Sequence, residues 1–382
     1  MKKITFLVLH LGYGGAEQAV ISQANVLAER YHVEIISFYK LLPEPAFKVD
    51  ERVKIRYLTE GIKPNRNEIK DALYKRRIGR FCAESIKSCK ILYWRKKKME
   101  EAIKKSNSDI IISSRYIYHK LLTKNVSSNV ICIGQEHNHH NNNEKYIRKQ
   151  IHAVKDMDYF MPVSRELTEF YEQKLKDQKV VCKYIPHYLE KIPERVSDLK
   201  GKNIISVGRL APEKDYEELI KVFSEIDSSF EEWKLHIVGD GDEREKLQNL
   251  IREKQLENRI IMHGFLDKEE IEKLMYQSSL YLMTSLTESF GLVLIEAQSY
   301  GLPCIAYDSA QGAKEIITSG KNGILVENRD RNRMVKEIEK CLQDLEYRQR
   351  IGKAGRENAL HYSKESIQNQ WYEFIDRIGT NI

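Results

Sequence analysis

Short unbroken apolar runs alternate along this chain with longer stretches whose apolar residues recur at helical spacing. In the first half the runs are Ile4–Leu9, Val33–Ser37, Val53–Tyr57, Ser108–Ser114, Asn129–Ile133, Asp158–Ser164 and Val180–Pro186. In the second half they are Asn203–Leu210, Leu235–Val238, Arg259–Leu266, Ser279–Met283, Pro303–Asp308 and Asn322–Val326. Runs this short and apolar predict strands covered on both faces, and the stretches between them predict helices, so the fold class expected is α/β with parallel sheets. The βα rhythm occurs in both halves without a sequence repeat. Between the halves, Pro193 to Lys200 is polar and charged, the composition of a hinge between domains.

Length agrees with that division, since 382 residues suit two domains that each bury a core. Hydrophobic residues at 41% and charged residues at 31% describe a soluble chain, and no apolar stretch is long enough to predict a membrane span. Lys2 and Lys3 precede a short apolar run without a small-residue cleavage pattern, so the start reads as a first strand, not a signal peptide. Cys82, Cys89, Cys132, Cys182, Cys304 and Cys341 are scattered, with no C-x-x-C pair, and read as reduced thiols. Charge is uneven. From Lys63 to Lys105 there are fifteen basic residues against five acidic, an excess larger than the net +7 of the whole chain. That segment reads either as a solvated helical face or as a patch for an anionic membrane surface. No nucleic-acid reader motif accompanies it.

Four stretches carry candidate chemistry. The first strand runs into Gly12-Tyr13-Gly14-Gly15-Ala16-Glu17, a glycine loop over a helix N-terminus that suits a phosphate or a sugar. A dinucleotide fingerprint would need glycine in place of Glu17 and an acid where the second strand ends in Ser37-Phe38-Tyr39, so nicotinamide and flavin sites are excluded. The fifth strand ends in Glu136-His137-Asn138-His139-His140, placed for polar substrate contacts or a metal, although no carboxylate or cysteine array completes a metal site. Gly208-Arg209, with Lys214 shortly after, sets two cations at one sheet edge, where Arg209 can grip phosphate oxygens bidentately and Lys214 supplies a point charge. Finally, Glu288-Ser289-Phe290-Gly291-Leu292 lies where a strand gives way to a helix, and Glu296 follows on an otherwise apolar helix. Gly291 would let a ligand approach the helix-start amides. A carboxylate in such company needs a partner, which sugar hydroxyls could be, unless Glu296 simply lies at the solvent edge of a capped helix.

Glu288 and Glu296, with Ser-Phe-Gly between them, resemble the two-glutamate signature of the GT4 family of retaining glycosyltransferases. Gly14-Gly15-Ala16-Glu17, Glu136-His137, Asp158–Ser164, Arg209 with Lys214, and Gly312-Ala313-Lys314-Glu315-Ile316 resemble other elements of that family. The likeness covers nearly the whole chain and is strongest from Val207 to Val326. His187-Tyr188 depart from it, because the family has Asn-Pro after Ile-Pro.

The resemblance implies a GT-B fold, two Rossmann-like domains facing across a cleft. The first would span residues 1–190, with a last helix, 364–382, packing back on it, and the second residues 200–363. It implies a retaining, metal-independent hexosyltransferase without a cofactor. The donor would be a nucleoside-diphosphate sugar, UDP-linked by expectation, and the acceptor a glycan or lipid-linked glycan of surface polysaccharide or glycoconjugate synthesis. Catalysis would rest on Glu288, His137, Arg209 and Lys214. Donor contacts would come from Gly14, Gly15, Arg209, Lys214, Gly239, Phe265, Leu266, Glu288, Ser289, Phe290, Gly291, Leu292 and Glu296. His137 and His139 both remain candidates to face the donor sugar. The expected location is cytoplasmic, with peripheral contact to the inner face of the membrane through Lys63–Lys105. Other activities remain open: a sugar-nucleotide epimerase on the same fold, or a non-catalytic partner of a transferase. A phosphorylase would need a pyridoxal-phosphate lysine motif, which is absent.

Overall fold

The computed structural model describes residues 1–378. The chain divides into two compact units, one formed by Met1–Ile185 together with the chain from Gln368, the other by Pro186–Ile367.

The first unit contains β1 (Lys3–Val8), α1 (Gly15–Ala28), β2 (His32–Tyr39), β3 (Lys54–Thr59), α2 (Arg66–Tyr74) and α3 (Ile78–Lys104). It continues with β4 (Ile110–Ser113), α4 (Tyr116–Asn125), β5 (Ile131–Glu136), α5 (Glu144–Val154), β6 (Tyr159–Pro162), α6 (Arg165–Leu175) and the short β7 (Val181–Cys182). All neighbouring strands are parallel, in the order β3-β2-β1-β4-β5-β6-β7. Ile4, Phe6, Leu7 and Val8 of β1 and Ile110–Ile112 of β4 are buried, as central parallel strands with helices on both faces require. The basic region is helical throughout most of its length and forms α2 and α3. Only Ile91, Met99, Ala102 and Ile103 of α3 are buried, so its packed face is confined to the C-terminal half.

The second unit contains β8 (Asn203–Val207), α7 (Tyr216–Ser224), β9 (Lys234–Val238), α8 (Arg244–Glu253), β10 (Ile260–Gly264), α9 (Lys268–Gln277), β11 (Leu280–Met283) and α10 (Leu292–Ser299). Then come β12 (Cys304–Tyr307), α11 (Gln311–Ile316), β13 (Ile324–Val326), α12 (Arg331–Gln343) and α13 (Leu345–Leu360); α14 (Lys364–Ile378) begins in this unit and from Gln368 belongs to the first. Its sheet is again all parallel, in the order β10-β9-β8-β11-β12-β13.

Each sheet therefore runs outward from its first strand in both directions. Strand order reverses between β1 and β4 in one unit and between β8 and β11 in the other. At such a switch point the two flanking loops leave in opposite directions and open a crevice at the strands' carboxyl ends.

The segment Pro193–Lys200 is fastened to the second unit. Ser197 donates to the Ser278 carbonyl at 2.7 Å, and the Arg356 guanidinium donates to the Pro193 carbonyl at 2.6 Å. From Gln368 onward α14 lies with the first unit, where Phe374 meets Tyr159 edge-on at 5.1 Å and Lys2 donates to the Ile375 carbonyl at 2.7 Å.

Candidate functional site

The densest chemistry of the second unit lies at its switch point. After β8 the chain passes through Gly208 and Arg209 into a 3-10 turn, Pro212–Lys214, and reverses at Asp215 in the left-handed region (φ 50°) before α7 begins. After β11 it passes through Thr284 and Ser285 to Glu288 and on to α10. The two loops are laced together: Leu286 N–H donates to the Glu213 carbonyl at 2.9 Å, and the Thr284 hydroxyl to the Asp215 carbonyl at 2.9 Å. That lacing brings the Lys214 ammonium onto the Glu288 carboxylate, 74 residues away in sequence. The pair is largely shielded, with side-chain exposures of 23% and 18%. Arg209, its side chain 71% exposed, pairs with Glu213.

Gly291 caps α10 with φ 89° and no side-chain cap; its carbonyl takes the Leu294 amide at 2.8 Å, and the cap residue offers no acceptor to the amides of Leu292 and Val293. A side chain there would be strained by the backbone angle, and its Cβ would fall 3.2 Å from Ile316 Cδ1 and 3.5 Å from Glu288 Cγ. Phe290 is buried, packing edge-on against His187 at 4.9 Å, with its backbone carbonyl close against Gly312. Burial holds the His187 imidazole neutral, down to about 4. Ser289 and Leu292 are half-buried beside them. Glu296, one turn into α10, has no hydrogen-bond partner for its carboxyl among the described residues, and burial pushes its pKa up to about 7, against a weak pull from Lys268.

The neighbouring strand ends complete a rim. Gly239 N–H donates to the Gly264 carbonyl at 2.8 Å, and Gly208 N–H to the Val238 carbonyl at 2.9 Å. Gly239 (φ 135°) can be nothing larger, because a Cβ would fall 1.9 Å from the Gly208 carbonyl oxygen. Phe265 follows β10 with its ring 76% exposed, and Leu266 is half-buried after it.

The first unit has its own pair at the equivalent place. Gly14 caps α1, and a Cβ on it would fall 2.3 Å from Glu17 Oε2, whereas Gly15 has open space around it. Glu17, on α1, receives Arg115 Nη2 at 2.9 Å from the end of β4, with His10 Nε2 3.7 Å away at the end of β1. Burial lowers the His10 pKa, although Glu17 pulls it upward. Past β5, Glu136 is buried and anchors the histidine loop: it accepts from Tyr146, Gln150 and the Asn138 amide, the last at 2.8 Å. Burial raises its pKa against those bonds. His137 is half-buried. His139 bonds Asn141 at 2.8 Å, and His140 is buried 4.4 Å from Phe170, which makes it a packing residue. Among the described residues no three His, Cys, Asp or Glu side chains group as metal ligands.

Two residues escaped the sequence reading. Arg329 pairs with Asp215 while donating to the Thr284 carbonyl at 2.9 Å and the Ser309 hydroxyl at 3.0 Å, so one guanidinium ties the ends of β8, β11 and β12 together. No motif marks it. Asp215 did leave a signal, because Asp215-x-x-Glu218 has helix-capping spacing, and its side chain accepts from the Glu218 amide.

Residues 189–358 match the family described as Glycosyl transferases group 1. Over 98% of its length the chain is 27% identical to an exopolysaccharide phosphotransferase of Streptomyces coelicolor, and the match spans only 41% of that protein. Over 99% of both chains it is 26% identical to a Campylobacter jejuni enzyme named as an α-1,4-N-acetyl-D-galactosaminyltransferase acting on a diphospho-undecaprenol-linked glycan. The structure of Anabaena HepE in complex with UDP superposes with a TM-score of 0.75 at 18% identity, covering 99% of this chain and all of that one. The two parallel-sheet units are those of the GT-B fold.

Proposed function

Taking as premise that residues 189–358 belong to the group 1 glycosyltransferases, we propose that the chain transfers a sugar, with retention, from a nucleoside-diphosphate sugar to a glycan or lipid-linked acceptor. The observation that carries this is the Lys214–Glu288 pair at the second unit's switch point, beside the uncapped start of α10. A diphosphate entering there would displace Glu288 as the partner of Lys214. Arg209, Lys214 and the α10 amides would then hold the departing charge as preorganised electrostatics, with no protein-bound metal needed. Glu288, released from Lys214, would accept hydrogen bonds from donor-sugar hydroxyls. Glu296 would take ribose hydroxyls as its missing partners, and His137 would orient the sugar. The bond from the anomeric carbon to the diphosphate breaks as the acceptor oxygen bonds on the same face, and the acceptor proton passes to the leaving phosphate.

The HepE complex with UDP favours a uridine donor. Phe265, exposed after β10, and the backbone that follows it would meet the base. In the first unit, Glu17 beside Gly14 already occupies Arg115, so that loop would offer no spare cation to a phosphate and would suit neutral hydroxyls. The enzyme from Campylobacter jejuni supports a lipid-linked glycan as acceptor.

The test is incubation with UDP-sugars and a lipid-linked glycan, with and without chelator, following the nucleotide released. UDP release that depends on acceptor and survives chelation is expected. Release of UMP instead would mark sugar-phosphate transfer, the activity in the Streptomyces coelicolor protein's name, and would overturn the reading.

A further inference from the structure

Arg244 is the first residue of α8 and stands between the ends of β9 and β10. A cation in a helix's first turn opposes the macrodipole, so the helix itself gives no reason for an arginine there. Its guanidinium is aimed by its neighbours. Nη1 donates to Asp240 Oδ2 at 3.0 Å, and Asp240 is fixed in turn by accepting the Gly241 amide at 2.8 Å. The guanidinium fills the space that a side chain at Gly264 would need, since a Cβ there would fall 2.8 Å from Nη1 and 3.5 Å from Nη2. Gly264 turns at φ 73°, and the pairing of β10 with β9 skips His263, a bulge that re-aims the strand end. Arg244 is half-buried, and its Nε and Nη2 have no hydrogen-bond partner among the described residues, so the fork keeps donors to spare. This corner adjoins Glu296: the charge that pulls on the Glu296 carboxyl is Lys268, the first residue of α9, three residues past Phe265.

We propose that Arg244 selects the base of the donor by donating to the O4 carbonyl of a uracil, a role that rests on the nucleotide-sugar reading above. A ribose held by Glu296 carries its base toward the loop after β10, where Gly264 and Arg244 form the wall. A guanidinium has five N–H donors and no acceptor. A base edge that presents a carbonyl completes it, whereas one that presents an amine sets donor against donor. Uracil and cytosine make that comparison at a single ring position, because C4 carries oxygen in one and an amino group in the other. The planar fork matters as well as the charge, since Asp240 fixes its orientation and a lysine ammonium has no such plane to fix. Guanine also carries a carbonyl, so its diphosphate is the second comparison.

The experiment is calorimetric titration of the full chain with UDP, CDP and GDP. UDP is expected to bind about tenfold or more tightly than CDP. Arg244→Met should weaken UDP by about tenfold or more and CDP much less, so that their affinities come within about threefold of each other. Arg244→Lys, which keeps the charge and loses the fork, should recover only part of the UDP preference. Should Arg244→Met lose its folded circular dichroism, Asp240→Asn, which leaves the guanidinium in place but unaimed, replaces it and should narrow the preference several-fold. Equal weakening of UDP and CDP in Arg244→Met would overturn the proposal, as would an unchanged preference, or tighter binding of GDP than of UDP by the parent. Failure of the parent to bind any of the three would instead strike down the donor reading, and this assignment with it.

Discussion

Lys214 and Glu288 matter to each other before any ligand arrives. Each is partly desolvated, so removing one leaves the other poorly compensated. Lys214→Ala is expected to lower kcat/KM with a nucleotide-sugar by about 10²-fold, roughly 3 kcal/mol of transition-state stabilisation, with a smaller change in KM; steady-state kinetics on a folded variant check it. Glu296 makes a different prediction. Its carboxyl holds a proton up to about pH 7 in the folded chain, whereas an unfolded glutamate releases it near 4.3. Between those values the folded state binds the extra proton, so this group lowers stability as pH rises through that window. Glu296→Gln should therefore melt higher than the parent at pH 8 and equally at pH 4. It should also bind nucleotide more weakly at pH 8, because an amide accepts ribose hydroxyls less strongly than a carboxylate. A melting gain without loss of nucleotide affinity would make Glu296 a buried liability unconnected with the donor.

At the scale of elements, the site depends on how loops leave strands. Arg329, in the turn before α12, grips the loops after β8, β11 and β12 at once, and Asp215 holds its left-handed turn partly through that grip. Arg329→Met should keep the fold, since the ring of Tyr307 lies 4.4 Å from the guanidinium carbon and can still pack on a thioether. It should loosen Lys214 against Glu288 and cut kcat/KM at least tenfold, while melting drops by only a few degrees. At the start of α10, Gly291→Ala meets both a positive φ and a close Ile316 methyl. A loss of about 1–2 kcal/mol is expected, read by denaturant unfolding, together with weaker nucleotide binding.

For the whole molecule, ligand-linked stability is the broadest test. UDP at 100 times its dissociation constant should stabilise the chain by about 2.7 kcal/mol. The shift should survive chelator and vanish in Lys214→Ala; an unshifted melting curve across UDP, GDP and ADP would count against a nucleotide site. The βα rhythm, both sets of strands and the helix starts at Gly15 and Leu292 could be read from the chain, because strand burial and helix punctuation are written in local periodicity. Glu288, Glu296, Arg209 and Lys214 are singled out by their likeness to a family's motifs, since by local pattern alone a carboxylate at a helix edge and two surface cations read no differently from other surface charges. Their pairing could not be read: that Lys214 meets Glu288, that Arg329 ties three strand ends, and that Glu17 of the glycine loop is answered by Arg115 all follow from strand order. Sequence alone thus determined the elements and the candidate chemistry. Tertiary structure decided which charges meet, because a parallel sheet that reverses at its first strand brings together loops 70 to 100 residues apart, and nothing in the local sequence encodes that distance.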